Sequence, residues 1–142
     1  MLSHDYHDGL FETNGLLRLK ALKYLRLDFR IGRVQIELCA AFTCLLELEV
    51  LLIWLRGGSL STLTLNVPWH KMSSLKVVNL MAKVFKFGKE VLGFTQIKGL
   101  ETLSLHSGYV PQMDGSTAES LEALHYHMTR FRPECSLQLQ RS

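Results

Sequence analysis

The stretch Leu60-Ser61-Thr62-Leu63-Thr64-Leu65 sets three leucines at relative positions 1, 4 and 6, and this spacing returns along most of the chain. It recurs at Leu22/Leu25/Leu27, Leu45/Leu48/Val50, Leu75/Val78/Leu80 and Leu100/Leu103/Leu105. All fifteen slots are Leu or Val, whereas Leu, Ile and Val together fill only 40 of the 142 positions, so composition alone does not produce the pattern. Positions 4 and 6 have the two-residue period of a strand with one buried face, and position 1 suits a residue turning into that strand. Copies of this kind have to stack, because none could bury its apolar side chains alone.

Working outward, the pattern predicts strands over residues 23–29, 47–53, 61–67, 76–81 and 102–106. Residues 33–44 are long enough for a helix on the outer face. Residues 88–96, with Val91 and Leu92 apolar, read as a second such helix, which Gly93 disfavours. The clearest helix signal follows Ser116-Thr117-Ala118-Glu119, a capping-box pattern in which a hydroxyl accepts from an orphan N–H and the Glu reaches back. Leu121, Leu124, Met128 and Phe131 then fall on one face, Arg130 and Arg132 complement the negative helix end, and Pro133 stops it. Residues 135–140 alternate Leu137 and Leu139 with polar neighbours and read as a last strand. Residues 1–15, polar and rich in turn formers, read as a loose leader before a single domain over residues 16–142.

From first leucine to first leucine the steps are 23, 15, 15 and 25 residues. Only Pro68 to Ser74 separates the third and fourth strands, which is short for a parallel crossover of about a dozen residues or more. That pair is therefore either a tight coil or antiparallel, and Arg56-Gly57-Gly58-Ser59 equally suits a hairpin.

Over residues 16 to 110 the pattern resembles the leucine-rich repeat family, whose repeats run about 20–29 residues. The irregular lengths and the terminal helix are similar to the repeat tails of F-box-type or plant resistance-type proteins. At the position where the family commonly carries Asn or Cys, this chain has Arg30, Ile53, Pro68, Lys83 and Gly108. The resemblance implies an α/β solenoid of about five repeats with a mostly parallel concave sheet and a few short convex helices. It further implies a non-catalytic module that recognises another protein, as the substrate- or effector-sensing part of a larger ligase or immune receptor. The implied partner-binding residues lie between the buried leucines: Tyr24, Arg26, Asp28, Glu47, Glu49, Thr62, Thr64, Asn66, Asn79, Met81, Thr102, Ser104 and His106. Weakly capped ends of such a stack would favour self-association.

Composition bounds the alternatives. Hydrophobic residues make up 47% and charged residues 20%, which suits a packed domain rather than a disordered chain. The net charge of +3 is unevenly spread. Arg18, Lys20, Lys23, Arg26, Arg30 and Arg33 face only Asp28 in their stretch, and Lys71, Lys76, Lys83, Lys86, Lys89 and Lys98 face only Glu90. Such clusters suit a solvated convex surface, or a face that steers an acidic partner. The alternative reading is a small, partly antiparallel α/β domain with a basic face for nucleic acid or an acidic ligand. No RNA-binding aromatic signature or helix-turn-helix punctuation accompanies the basic stretches, which disfavours nucleic acid. Trp54 and Trp69 read as packing residues.

Three cysteines without a C-x-x-C spacing predict neither a zinc site nor a disulfide framework. With the polar start of the chain, they point to a reducing, intracellular compartment, cytoplasmic or nuclear. Cys39 and Cys44 read as buried, inert thiols. His4, Asp5, His7 and Asp8 offer metal-binding groups without a rigid frame. His125 and His127 point about 200° apart on a helix, His125 toward the core and His127 outward. No nucleophile elbow or phosphate loop occurs, so neither catalysis, a cofactor nor a metal is expected. Residues 36–55 are apolar enough to mimic a membrane span, but Glu37, Glu47 and Glu49 argue against one.

Overall fold

A computed structural model of the chain describes residues 9–11, 15, 18–30, 32–57, 61–107 and 115–141. Its strands are β1 (Gly9–Phe11), β2 (Tyr24–Phe29), β3 (Val34–Leu38), β4 (Val50–Leu55), β5 (Thr62–Leu65), β6 (Val77–Ala82), β7 (Val84–Phe87), β8 (Thr102–Ser107) and β9 (Ser136–Arg141). Short 3-10 helices span Ala40–Cys44, Trp69–Lys71 and Lys89–Gln96, and the α-helix α1 spans Gly115–Phe131. The architecture is α/β, with two parallel sheets and few helices.

From β1 to β8, consecutive strands go to different sheets. Four form one sheet in the order β1-β3-β5-β7, and five form the other in the order β2-β4-β6-β8-β9. Every pairing among the described residues is parallel. Neither candidate hairpin forms, because the strands flanking Gly57 and those flanking Pro68–Ser74 belong to different sheets. A strand that continues straight into the opposite sheet needs no crossover back to its neighbour, so the short connections are no obstacle.

The side-chain alternation of a strand turns register into burial. In the five-stranded sheet Leu25, Leu51, Val78, Leu103 and Leu137 lie side by side, as do Leu27, Ile53, Leu80, Leu105 and Leu139. In the other sheet Ile36, Leu63 and Phe85 align, and so do Leu38, Leu65 and Phe87. All four rows join one hydrophobic core. The corner between β2 and β3 is made by Gly32, whose φ of 85° is left-handed and suits a residue without Cβ. Buried Ser61 ties that corner down: its Oγ accepts from the Val34 N–H at 3.0 Å and donates to the Gly32 carbonyl at 3.4 Å.

Three expectations about the strands need correction. The helix expected over residues 33–44 is the strand β3 followed by a 3-10 turn, since Val34, Ile36 and Leu38 alternate with exposed Gln35 and Glu37 at a period of two. The second expected strand is displaced by three residues, so Leu48/Leu51/Ile53, not Leu45/Leu48/Val50, matches Leu22/Leu25/Leu27. The stretch is apolar at nearly every position, so the pattern fits it in two registers and only the neighbouring strands choose between them. Leu60/Leu63/Leu65 is no repeat of the same sheet: β5 lies in the four-stranded one. The paired residues Tyr24, Val50, Val77 and Thr102 then lie 26, 27 and 25 positions apart, which removes the two short steps. Of the expected leader, Gly9–Phe11 is an edge strand pairing with β3, and the remainder, including His4 to Asp8, lies mostly outside the described residues.

The expected helix over residues 88–96 is 3-10 rather than α, because the Lys89–Gln96 segment presses close on the preceding turn. Trp69 and Phe94 stack with centroids 4.6 Å apart, and a Cβ on Gly93 would come within 2.7 Å of the His70 backbone nitrogen. Helix α1 takes in Gly115 and Ser116, and the capping expected of the Ser116 side chain lies outside what the structure describes. Thr117 has another use: its buried hydroxyl accepts from the Phe87 N–H at 3.2 Å and donates to the Phe87 carbonyl at 3.3 Å, pairing the open edge of β7. Leu121, Leu124 and Met128 pack into the core, whereas Phe131 is exposed. Arg132, just past the helix, reaches the carbonyls of Thr95, Ile97, Lys98 and Leu100 and pins α1 to the preceding coil.

Leu51→Ala is expected to cost about 2–5 kcal/mol, and Leu52→Ala, one position away on the outer face, about 1 kcal/mol. Urea denaturation measures both, and the opposite order would select the other register. Arg132→Met should cost about 1.5–3 kcal/mol by stranding carbonyls, whereas Arg130→Met, two residues earlier and exposed on the helix, should stay within about 0.5 kcal/mol.

Candidate functional site

The outer face of the five-stranded sheet carries an ordered array of side chains that lie outside the hydrophobic core. Its in-register rows are Tyr24, Val50, Val77, Thr102 and Ser136; then Arg26, Leu52, Asn79, Ser104 and Gln138; then Asp28, Trp54, Met81 and His106. Eight of the thirteen expected binding residues come together here: Tyr24, Arg26, Asp28, Asn79, Met81, Thr102, Ser104 and His106. Five do not. Thr62 and Thr64 stand on β5, on the outside of the other sheet, and Asn66 follows that strand. Glu47 lies in the turn before β4, and Glu49 sits at its entrance. Both displacements follow from β4 starting three residues later than expected and β5 lying in the other sheet. The same shift brings Val50, Leu52 and Trp54 onto the face, where they form a half-buried apolar floor at its middle.

At one corner of this face Asp28 is buried, and a carboxylate taken out of water requires charged partners. Its Oδ2 accepts from Arg56 Nη2 at 2.8 Å, Arg30 Nε at 3.3 Å and Arg26 Nη2 at 3.5 Å. The Arg26 and Arg56 guanidinium carbons also lie 4.8 and 4.9 Å from the Trp54 ring centroid, within cation–π range. Trp54 Nε1–H donates to Asn79 Oδ1 at 3.2 Å. Trp54, expected as a packing residue, is instead the platform of a polar cluster, while Trp69 is fully buried. The basic residues Arg26, Arg30 and Arg56 belong to this face and its rim rather than to a convex surface.

The opposite rim is balanced in charge. Lys23, Glu49, Lys76 and Glu101 occupy neighbouring places just ahead of their strands, joined through backbone bonds from Glu49 N to Lys23 O, Lys76 N to Glu49 O and Glu101 N to Lys76 O. Cross-strand neighbours of opposite sign attract, and Lys76 Nζ lies 3.0 Å from Glu49 Oε1. That hydrogen bond, with the charge of Lys76 and a smaller effect of Lys23, holds the Glu49 carboxyl below its ordinary range. Glu49 in turn raises Lys76, with help from Glu101. A shallow hollow of about 310 Å³ opens beside this ladder, with Glu47, Ser73 and Ser74 in its wall.

The remaining candidates are scattered. Cys39 and Cys44 are exposed, not buried as expected, because their segment is a 3-10 turn that buries only Phe42. Cys135 is buried, and burial raises its thiol. His125 is exposed beside a hollow of about 280 Å³ with Leu121, Glu122 and Leu139, while half-buried His127 stacks on Phe131, the reverse of the expected exposures. Among the described residues no three His, Cys, Asp or Glu side chains gather closely enough to hold a metal ion, and no helix is long and apolar enough to cross a membrane. Compared with protein-family models, curated proteins and solved structures, the chain gives no match.

Because Glu49 titrates below its unfolded value, its share of the bridge is intact above the unfolded carboxylate range and lost as pH falls through the folded one. Lys76 is raised, so its share is intact below the unfolded lysine range and lost as pH rises through the folded value. Carboxyl-detected NMR titration should therefore place Glu49 below an ordinary glutamate, and Lys76→Met should return it to the ordinary range. An unmoved midpoint would assign the depression to another group.

Proposed function

We propose that the chain is a leucine-rich-repeat-type solenoid that does no chemistry and binds another protein through the outer face of its five-stranded sheet. The observation that carries this reading is the in-register parallel array β2-β4-β6-β8 at spacings of 26, 27 and 25 residues. These fall within the about 20–29 residues of leucine-rich repeats. Each turn of such a coil presents three outward positions beside those of its neighbours, so the face grows as a grid whose floor is set by backbone pairing. A rigid grid costs little ordering on binding, which favours recognition of an extended or loop-like segment. The half-exposed Val50, Leu52, Trp54 and Met81 supply an apolar centre, and Arg26, Asn79, Thr102 and His106 a polar surround. That distribution suits a protein interface, where a few central anchors carry most of the affinity. A role as the sensing part of a larger ligase or receptor accords with this reading.

The test is capture of partners from lysate followed by mass spectrometry. The Leu52→Glu/Met81→Glu variant should lose at least about tenfold of the captured partner, as expected when a central anchor is removed. Thr64→Glu, on the other sheet, should capture as the parent does. A partner retained by the first variant and lost by the second would move the site to the four-stranded sheet.

A further inference from the structure

Resting on the reading that this face binds a protein, we propose that the corner formed by Arg26, Arg30, Arg56 and Trp54 receives an acidic peptide segment, whose carboxylates pair with the guanidinium groups. Three cations meet a single carboxylate here, leaving a surplus of two positive charges at one end of the sheet. Lys83, at the end of β6, extends the same rim, whereas the opposite rim alternates in sign. The attraction for an acidic chain is therefore confined to one end.

The cluster is built as well as charged. Asp28, its side chain 3% exposed, is the fixed post, while the arginines around it are 31%, 65% and 42% exposed at Arg26, Arg30 and Arg56. A guanidinium carries five N–H donors, and within the cluster each gives Asp28 one nitrogen. The Trp54 ring supports two of the three, so little side-chain freedom is lost when a further carboxylate arrives. Arg26 Nε and Asp28 Oδ1 are buried without a hydrogen-bond partner among the described residues. Beyond the arginines the face becomes apolar and then neutral through Leu52, Met81 and Ser104. That sequence fits a peptide mixing carboxylates with aliphatic side chains better than a nucleic acid backbone, which would need the basic stripe to continue.

The experiment uses three fluorescein-labelled probes followed by anisotropy at low ionic strength. The first is a twelve-residue peptide of Glu and Leu, the second the same peptide with Gln for every Glu, and the third a twelve-nucleotide single-stranded RNA. The Glu peptide should bind at least about tenfold tighter than the Gln peptide, and salt should erode the difference. Arg30→Gln/Arg56→Gln should abolish the preference and leave the Gln peptide unaffected. Should the double variant fail to fold, Arg30→Gln alone, at the most exposed arginine, should weaken the Glu peptide about 2–5-fold. Equal affinity for the two peptides, a preference that survives loss of the arginines, or tighter binding of the RNA would each overturn the proposal. Equal peptide affinities with partner capture still dependent on Leu52 and Met81 would sink this proposal alone; capture indifferent to those residues would sink the broader reading.

Discussion

One constraint governs this molecule: an aliphatic side chain on a strand is buried only if the strand beside it brings another to the same height. Leu25, Leu51, Val78 and Leu103 meet that condition across four strands, and Leu27, Ile53, Leu80 and Leu105 meet it one step along. Parallel pairing transmits the register from strand to strand, so a slip by one residue anywhere would carry a whole row from the interior to water. The second sheet closes the interior from the other side with Ile36, Leu63 and Phe85. Neither sheet is stable without the other, because each has one apolar face.

From that constraint the outer face follows. Once the leucine rows are buried, the residues between them must point out, and their neighbours are fixed by backbone pairing rather than by their own chemistry. Buried Asp28 is held where Arg56 and Arg30 reach it, and Trp54 is carried into the same corner by β4. The face is charged and aromatic at one end, apolar at the centre and hydroxyl-bearing toward β8.

The two ends of the stack are finished differently. At the far end α1 seals the edge of the four-stranded sheet, with Thr117 standing in for a missing strand on Phe87, and Arg132 binds the carbonyls of the preceding turn. At the near end β1 pairs with β3 as a three-residue edge strand.

The sequence by itself determined the elements whose pattern admits a single reading. The strands around Leu25, Val78 and Leu103 and the helix with Leu121, Leu124 and Met128 were legible because period and face agree in each. Eight of the outward residues followed from those strands. What only the tertiary structure decided was register in the apolar run from Leu45 to Leu55 and the sheet to which Leu63 and Leu65 belong. A local pattern states that a residue is buried, not against which strand, and a run apolar at nearly every position satisfies two registers until its neighbours remove one. The Asp28 cluster lay beyond reach for the same reason: Arg56 and Trp54 are 28 and 26 positions from Asp28, and only the pairing of β2 with β4 brings them together.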